Sequence, residues 1–359
     1  ESTFGTNCKI QTQAPTGAFT GAVLFASTLL VEFNAAGVQH IPGGTYRGGL
    51  SALNTVKTFT GNVTAAGPLN VTTSIDASSF QLIEESGLTL TITGSGQFYT
   101  SNNSSTPVPA DLDWSSLADF QYRTGTTTIV SGIYSSLALN GTGTRTTAGS
   151  STCAVLFLTS ANETLIVSAD DYIIENSSGV FITDASSKIV LEADNSGNYG
   201  QLKATAFNSK SSSGKVEKQF YFSPSTGRWH NIGTGLIGAD LQDLPDPSAE
   251  FNFSPFATNG DGSAFKWNAT NSNWETAAST GNNPWEGVNV FSGPGTTGSV
   301  FMTNSGIVSL AGDIQTADAV VSLSYDDGSG ANTTQTAGVG SADWGWNFLA
   351  NPYTAVYDW

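Results

Sequence analysis

The amino-acid sequence predicts an all-β protein: a parallel β-helix or solenoid-like stalk followed by a β-sandwich module. Three observations carry that expectation. Apolar residues alternate with Thr and Ser over short stretches, as in Leu88-Thr89-Leu90-Thr91-Ile92, Leu69/Val71, Phe80/Leu82, Val180/Ile182 and Ile189/Leu191, and a period of two marks half-buried strands. Gly, Asn, Ser or Asp clusters interrupt these runs roughly every eight to twelve residues, the spacing of short strands joined by tight turns. Helical periodicity is almost absent. Turns of only a few polar residues separate the strands near Val63, Leu69, Phe80 and Leu90, which suits rungs that stack on one another and bury a continuous apolar column. Aligned sandwiches produce the same alternation, so tandem β-sandwiches stand as the alternative.

Composition bounds what such a chain can do. Of 359 residues only 11 % are charged, 29 acidic against 12 basic, for a formal charge of −17. That balance makes nucleic acid and anionic membranes poor partners. Hydrophobic residues at 38 %, with 8 Trp and 20 Phe, suffice for a core and argue against disorder. No apolar run reaches the roughly 18 residues of a spanning helix. With one Met and none at position 1, the chain reads as a processed piece of a longer polypeptide. Cys8 and Cys153 match no metal-ligand spacing; a disulfide and two free thiols both fit.

Residues 1–30 form a lead segment whose apolar stretch Gly17–Phe33 is expected to act as an added strand. Residues 31–110 and 111–215 read as two copies of one β unit. Val31-Glu32-Phe33 precedes Gly37-Val38-Gln39-His40-Ile41-Pro42-Gly43-Gly44-Thr45-Tyr46, and about 88 residues later Phe120-Gln121-Tyr122 precedes Gly125-Thr126-Thr127-Thr128-Ile129-Val130-Ser131-Gly132-Ile133-Tyr134. A repeat made of packing positions is a scaffold signal. The Ser-rich stretch Asn208–Gly214 marks a boundary. Beyond it, residues 216–359 hold 14 acidic and 3 basic residues and six of the eight Trp lie past position 260, so this part is expected to be an acidic, Trp-rich sandwich-like module.

The phrase from Phe33 to Tyr46 resembles the recurring F-N-G-x-G-x-Q-x-I-P-x-G-T-Y unit of large surface proteins exported by Bacteroidota. The segment Gly345-Trp346-Asn347-Phe348-Leu349-Ala350-Asn351-Pro352-Tyr353, with Asp358-Trp359 after it, is similar to a second hallmark of those proteins, and Arg228-Trp229-His230-Asn231-Ile232 is similar to the strand that opens the same module. The resemblance implies export by the type IX secretion system, an extracellular location on the outer cell surface, and a structural or adhesive stalk or filament. The expected partners are other copies or neighbouring modules of the same surface protein; the tryptophans add glycans as a further ligand class, and the lack of a long apolar run argues against membrane insertion.

Candidate chemistry is sparse, and no catalytic residues are assigned. His40 and His230 lie in different modules, and His40 meets Thr128 in the other copy of the repeat. The adjacent acids Glu84-Glu85, Asp170-Asp171 and Asp326-Asp327 sit on neighbouring positions, which point to opposite faces of a strand. A β-helix lyase would need clustered cations, and the four Arg are scattered. Calcium is the one cofactor considered: Asp261, Asp326 and Asp327, and the loop Asp194–Asn198, place oxygen ligands on Gly-rich turns, although Asx-rich turns use the same residues for conformational reasons. Trp274 and Trp285, with polar neighbours, are the candidates for stacking on a carbohydrate. The expectation is therefore a non-enzymatic scaffold, with a carbohydrate-binding module as the second reading.

Overall fold

The structure, a computed structural model, describes residues 9–13, 23–25, 29–210, 216–222, 228–241, 244, 264–268, 273–277, 283–292, 307–318, 321, 349–351 and 354. It is all-β, with no helix among the described residues. None is therefore long and apolar enough to cross a membrane. The chain divides into two compact units, Glu1–Ile189 with Leu202–Ser211 and Val190–Gln201 with Ser212–Trp359.

The first unit carries a β-solenoid; the solenoid has about eight turns. Its early rungs each place one short strand on three faces. Lys9–Thr12, Leu30–Phe33, Leu50–Ala52, Gly67–Val71 and Leu90–Thr93 stack in parallel on the first face. Gln39–Ile41, Lys57–Phe59, Ser74–Asp76, Gln97–Thr100 and Asp119–Arg123 form the second. Val23–Phe25, Gly44–Tyr46, Val63–Ala65 and Leu82–Glu84 form the third. In later rungs the strands run round the corners: Thr128–Asn140, Gly143–Leu158 and Tyr172–Ile182 are continuous, with register shifts between Val130 and Gly132 and between Cys153 and Val155. A bulge turns a strand sharply, so here it takes the place of a corner loop.

The register fixes the period. Val31 lies beside Leu50 and Leu50 beside Leu69, 19 residues apart each time, and the spacing widens to 23 between Leu69 and Ile92. The rung, rather than an 88-residue block, is what recurs. Val31-Glu32-Phe33 lies on the first face and Phe120-Gln121-Tyr122 on the second, so the two similar phrases are offset by one face. They share a local device nonetheless. Tyr46 donates its hydroxyl to the Pro42 carbonyl at 2.8 Å and Tyr134 to that of Val130 at 2.9 Å, each spanning a corner from within the core.

Alternation explains the interior. Ile75, Phe98, Phe120, Leu137, Leu156 and Val180 succeed one another in register down the second face and are all buried. Phe98, Trp114 and Phe120 interlock with ring centroids 4.7–5.3 Å apart, within the range where aromatic pairs attract. Neighbouring rungs also touch backbone to backbone. A Cβ on Gly43 would come within 2.9 Å of the Gly61 Cα, and one on Gly96 within 2.0 Å of the Thr73 carbonyl oxygen. Only a residue without a side chain fits there. Leu88, read as the start of an alternating strand, instead follows the turn at Gly87 and is 43 % exposed. The lead segment supplies Val23–Phe25, in which Leu24 is 69 % exposed and Phe25 is buried.

The core is not purely apolar. Lys57 is buried and donates to the Ala35 carbonyl at 3.0 Å and the Thr55 hydroxyl at 3.2 Å. Buried Arg145 forms an ion pair with buried Glu163 and also donates to the carbonyls of Gly141 (3.0 Å) and Arg123 (3.2 Å). These groups tie corner backbone that no ladder can satisfy.

The second unit contains antiparallel pairings. Val216–Tyr221 pairs with Ile307–Ile314, which also pairs with Leu236–Ile237. A separate four-stranded sheet runs in the order Arg228–Gly233, Gly287–Ser292, Ala264–Asn268, Asn273–Thr276. Ile232, Val288 and Val290 share one of its faces and are buried.

Candidate functional site

The second unit holds two features that could engage a ligand. The first is the other face of the four-stranded sheet. Phe265 and Trp267 alternate onto it and face their register partners Asn289 and Trp274. The Trp267 and Trp274 rings meet edge to face at 5.6 Å and 73°, with Trp274 46 % exposed. They are direct cross-strand neighbours on consecutive antiparallel strands, which makes them one aromatic surface. The Asn289 Oδ1 is buried and has no hydrogen-bond donor among the described residues. Trp285 is half-buried and its carbonyl accepts from the Ala350 amide at 2.9 Å.

The second feature is a cavity of about 360 Å3 whose lining includes Lys218, Phe220, Tyr199, Gln201, Asn231 and Asn351. Lys218 arrives there by strand alternation. Val216, Phe220 and Phe222 are buried at every second position, and Lys218 occupies the position between them, opposite buried Leu310. Among the described residues no carboxylate or hydrogen-bond acceptor reaches its ammonium, which lies 5.3 Å from the Phe220 ring centroid. Burial pulls the Lys218 pKa down to about 8, because an ammonium loses its hydration there without gaining a counter-charge. Gly233, Ala350 and Asn351 also line the cavity. The Ala350 methyl sits 2.0 Å from where a Cβ on Gly233 would be, and Glu286 bridges to Leu349. The Leu349-Ala350-Asn351 phrase therefore lies directly against the strand Arg228–Gly233. The alternation of Val216, Lys218 and Phe220 was legible as an inward lysine, and sequence reading passed over it.

The remaining candidates separate. Asp261, Asp326 and Asp327, the calcium candidates, lie outside the described residues, as does Cys8. Cys153 is a buried free thiol, and burial, with the Glu175 charge, pushes its pKa up to about 12. The Asp194 carboxylate accepts from the Ser196 and Asn198 amides at 2.8 and 2.9 Å and from the Asn198 side chain at 3.0 Å. It closes its own turn in the manner of an Asx motif. Among the described residues no group of three or more His, Cys, Asp or Glu side chains converges on a metal-sized site. Adjacent acids hold separate posts. Glu85 pairs with Arg47 through contacts of 2.6–2.9 Å, while Glu84 accepts from the Leu90 amide at 2.8 Å. Asp171 accepts from the Thr147 hydroxyl at 2.6 Å and the Gly149 amide at 3.0 Å, whereas Asp170 is exposed. His40 is exposed, and the His230 ring lies 4.4 Å from that of Phe222.

No protein-family model matches the chain, and no curated protein or solved structure matches it.

Proposed function

We propose that this chain is a non-enzymatic structural or adhesive part of a secreted bacterial surface protein. On this reading its solenoid serves as a stalk and its second unit is a β-sandwich-like module. The observation that supports this most is the solenoid of about eight turns, whose buried columns run unbroken from rung to rung. At the interstrand spacing, such a stack gives roughly 35–40 Å of stiff support. The resemblance of the segments from Phe33 to Tyr46 and from Gly345 to Trp359 to such surface proteins is what suggests the surface location and the type IX export route. The partners on this reading are further copies or neighbouring modules of the same protein. The edge strands Lys9–Thr12, Val23–Phe25 and Gln39–Ile41 are where such a neighbour would add. Antibody labelling of intact source cells tests the proposal. Labelling before permeabilisation, lost when the export machinery is deleted, is expected; labelling only after permeabilisation contradicts it.

A second reading, a carbohydrate-binding module, is favoured by the edge-to-face pair of half-buried Trp267 and exposed Trp274. Glycan-array binding that is abolished by Trp274→Ala is its test; binding unchanged by that substitution removes it.

A further inference from the structure

We propose that the Lys218 cavity is a binding site for the carboxylate of an acidic sugar, a single hexuronate-type residue. Three features point there together. The cavity, at about 360 Å3, lies at the small end of ligand pockets, which suits one pyranose ring better than a chain of them. It presents a single cation, Lys218, with no carboxylate against it among the described residues. One ammonium matches one negative charge, and in a half of the chain with 14 acidic against 3 basic residues a dianion is opposed more strongly than a monoanion. Around the cation stand groups that read hydroxyls rather than charge. Gln201, Asn231 and Asn351 contribute amides, each of which can donate and accept. Tyr199, 40 % exposed and edge-on to Phe220 at 6.5 Å, offers an aromatic face to the apolar side of a ring.

The chemistry follows from desolvation. An unpaired ammonium that is half-buried and partly stripped of its hydration is costly, and a bound carboxylate offsets that cost. Ligand and proton therefore bind Lys218 cooperatively, and affinity falls as pH rises through about 8. Tyr199 is the other titratable side chain in the lining. Burial, with the charge of Asp194, raises its pKa, so it stays neutral over that range. The carboxylate of Glu286, which is not among the cavity's lining residues, accepts from Asn283 at 3.1–3.2 Å, and Glu217 alternates to the opposite side of the Lys218 strand.

The site does not include Trp274, so it stands or falls apart from the aromatic face. Calorimetric titration of the intact chain with D-galacturonate, D-galactose and acetate tests it. The expected result is saturable galacturonate binding, at least about ten-fold tighter than for galactose or acetate. It should be lost in Lys218→Met, retained in Trp274→Ala, and weakened about ten-fold or more between pH 6.5 and 9.5. Equal affinity for the acid and neutral sugars overturns the proposal, as does unaltered binding in Lys218→Met or no saturable binding. Acetate binding as tightly as galacturonate overturns the sugar assignment. Should Lys218→Met fail to fold, as judged by its melting curve, the pH series on the unaltered protein decides: affinity that holds to pH 9.5 refutes a role for the ammonium.

Discussion

Replacing Arg145 with Met isolates the most enclosed charge in the solenoid. Arg145 and Glu163 are both essentially inaccessible to solvent. The substitution leaves one Glu163 oxygen without its cation and takes a donor from each of the carbonyls of Gly141 and Arg123. The other Glu163 oxygen keeps the Thr159 and Ser160 amides, at 3.1 and 3.4 Å. Breaking a buried pair by removing one partner costs about 3–5 kcal/mol, and that is the expected loss in urea unfolding at pH 7. The loss should depend on pH in a definite sense. Burial already raises the Glu163 pKa, with Arg145 and the two amides opposing it. Without Arg145 the carboxyl rises further and is protonated more readily in the folded state than in the unfolded one. A raised folded pKa means that stability falls as pH climbs from the unfolded value to the folded one, by at most about 1.4 kcal/mol per unit. The variant should therefore recover part of its deficit at pH 4–5. The double variant Arg145→Met/Glu163→Leu should come within about 1–2 kcal/mol of the parent, because no buried charge remains. A deficit that is the same at pH 4.5 and 7, or a double variant as unstable as the single one, would refute the reasoning.

Gly96→Ala should destabilise the solenoid by about 1–3 kcal/mol or more, since the new methyl meets the Thr73 carbonyl at 2.0 Å. Gly37→Ala, with nothing within 4 Å, should be nearly neutral in the same thermal unfolding assay. In a Cys8→Ser background the Cys153 thiol, buried and shifted to about 12, should resist maleimide until the protein is unfolded. Rapid labelling of the native protein would contradict its placement. Deleting residues 1–30 removes two edge strands, Lys9–Thr12 and Val23–Phe25, together with Leu30, and uncovers Val31, Glu32, Phe33 and Gly44–Tyr46. Lower thermal stability and greater aggregation are expected; a soluble truncation as stable as the parent counts against the lead segment's role.

The strand content was legible because inward positions repeat every second residue: Leu90 and Ile92, Val180 and Ile182, Ile189 and Leu191 are all buried. The solenoid was legible in the short polar turns between strands, since alternation alone does not distinguish it from a sandwich. The period was harder to see. Rungs vary from 19 to 23 residues between Val31 and Ile92, so turn insertions blur any fixed spacing, and the eye settles on the two tyrosine corners instead. Buried Lys57, Arg145, Glu163 and Glu175 were invisible for a different reason. At a corner, an inward charge is set by which backbone groups lack a ladder partner, and that is known only once the rungs are stacked. Glu175 shows it: burial pushes its pKa up, but the Gly179, Ser177 and Thr205 amides and the Thr205 hydroxyl outweigh this and hold it low. Those donors sit up to 30 residues away in sequence. At the candidate site, the aromatic residues were identifiable by type, whereas the cavity depends on Tyr199, Lys218 and Asn351 meeting from three distant segments.

Cysteine cross-linking down the second face tests the stacked-rung arrangement most directly. His40 lies beside Thr58, and Thr58 beside Asp76, so neighbours stand about 4.8 Å apart and next-but-one residues about twice that. In a Cys8→Ser background, His40→Cys/Thr58→Cys and Thr58→Cys/Asp76→Cys should each close a disulfide, which needs a Cα separation below about 7 Å, while His40→Cys/Asp76→Cys should not. Ready closure of the last pair, or failure of the first two in protein that melts like the parent, would contradict the arrangement.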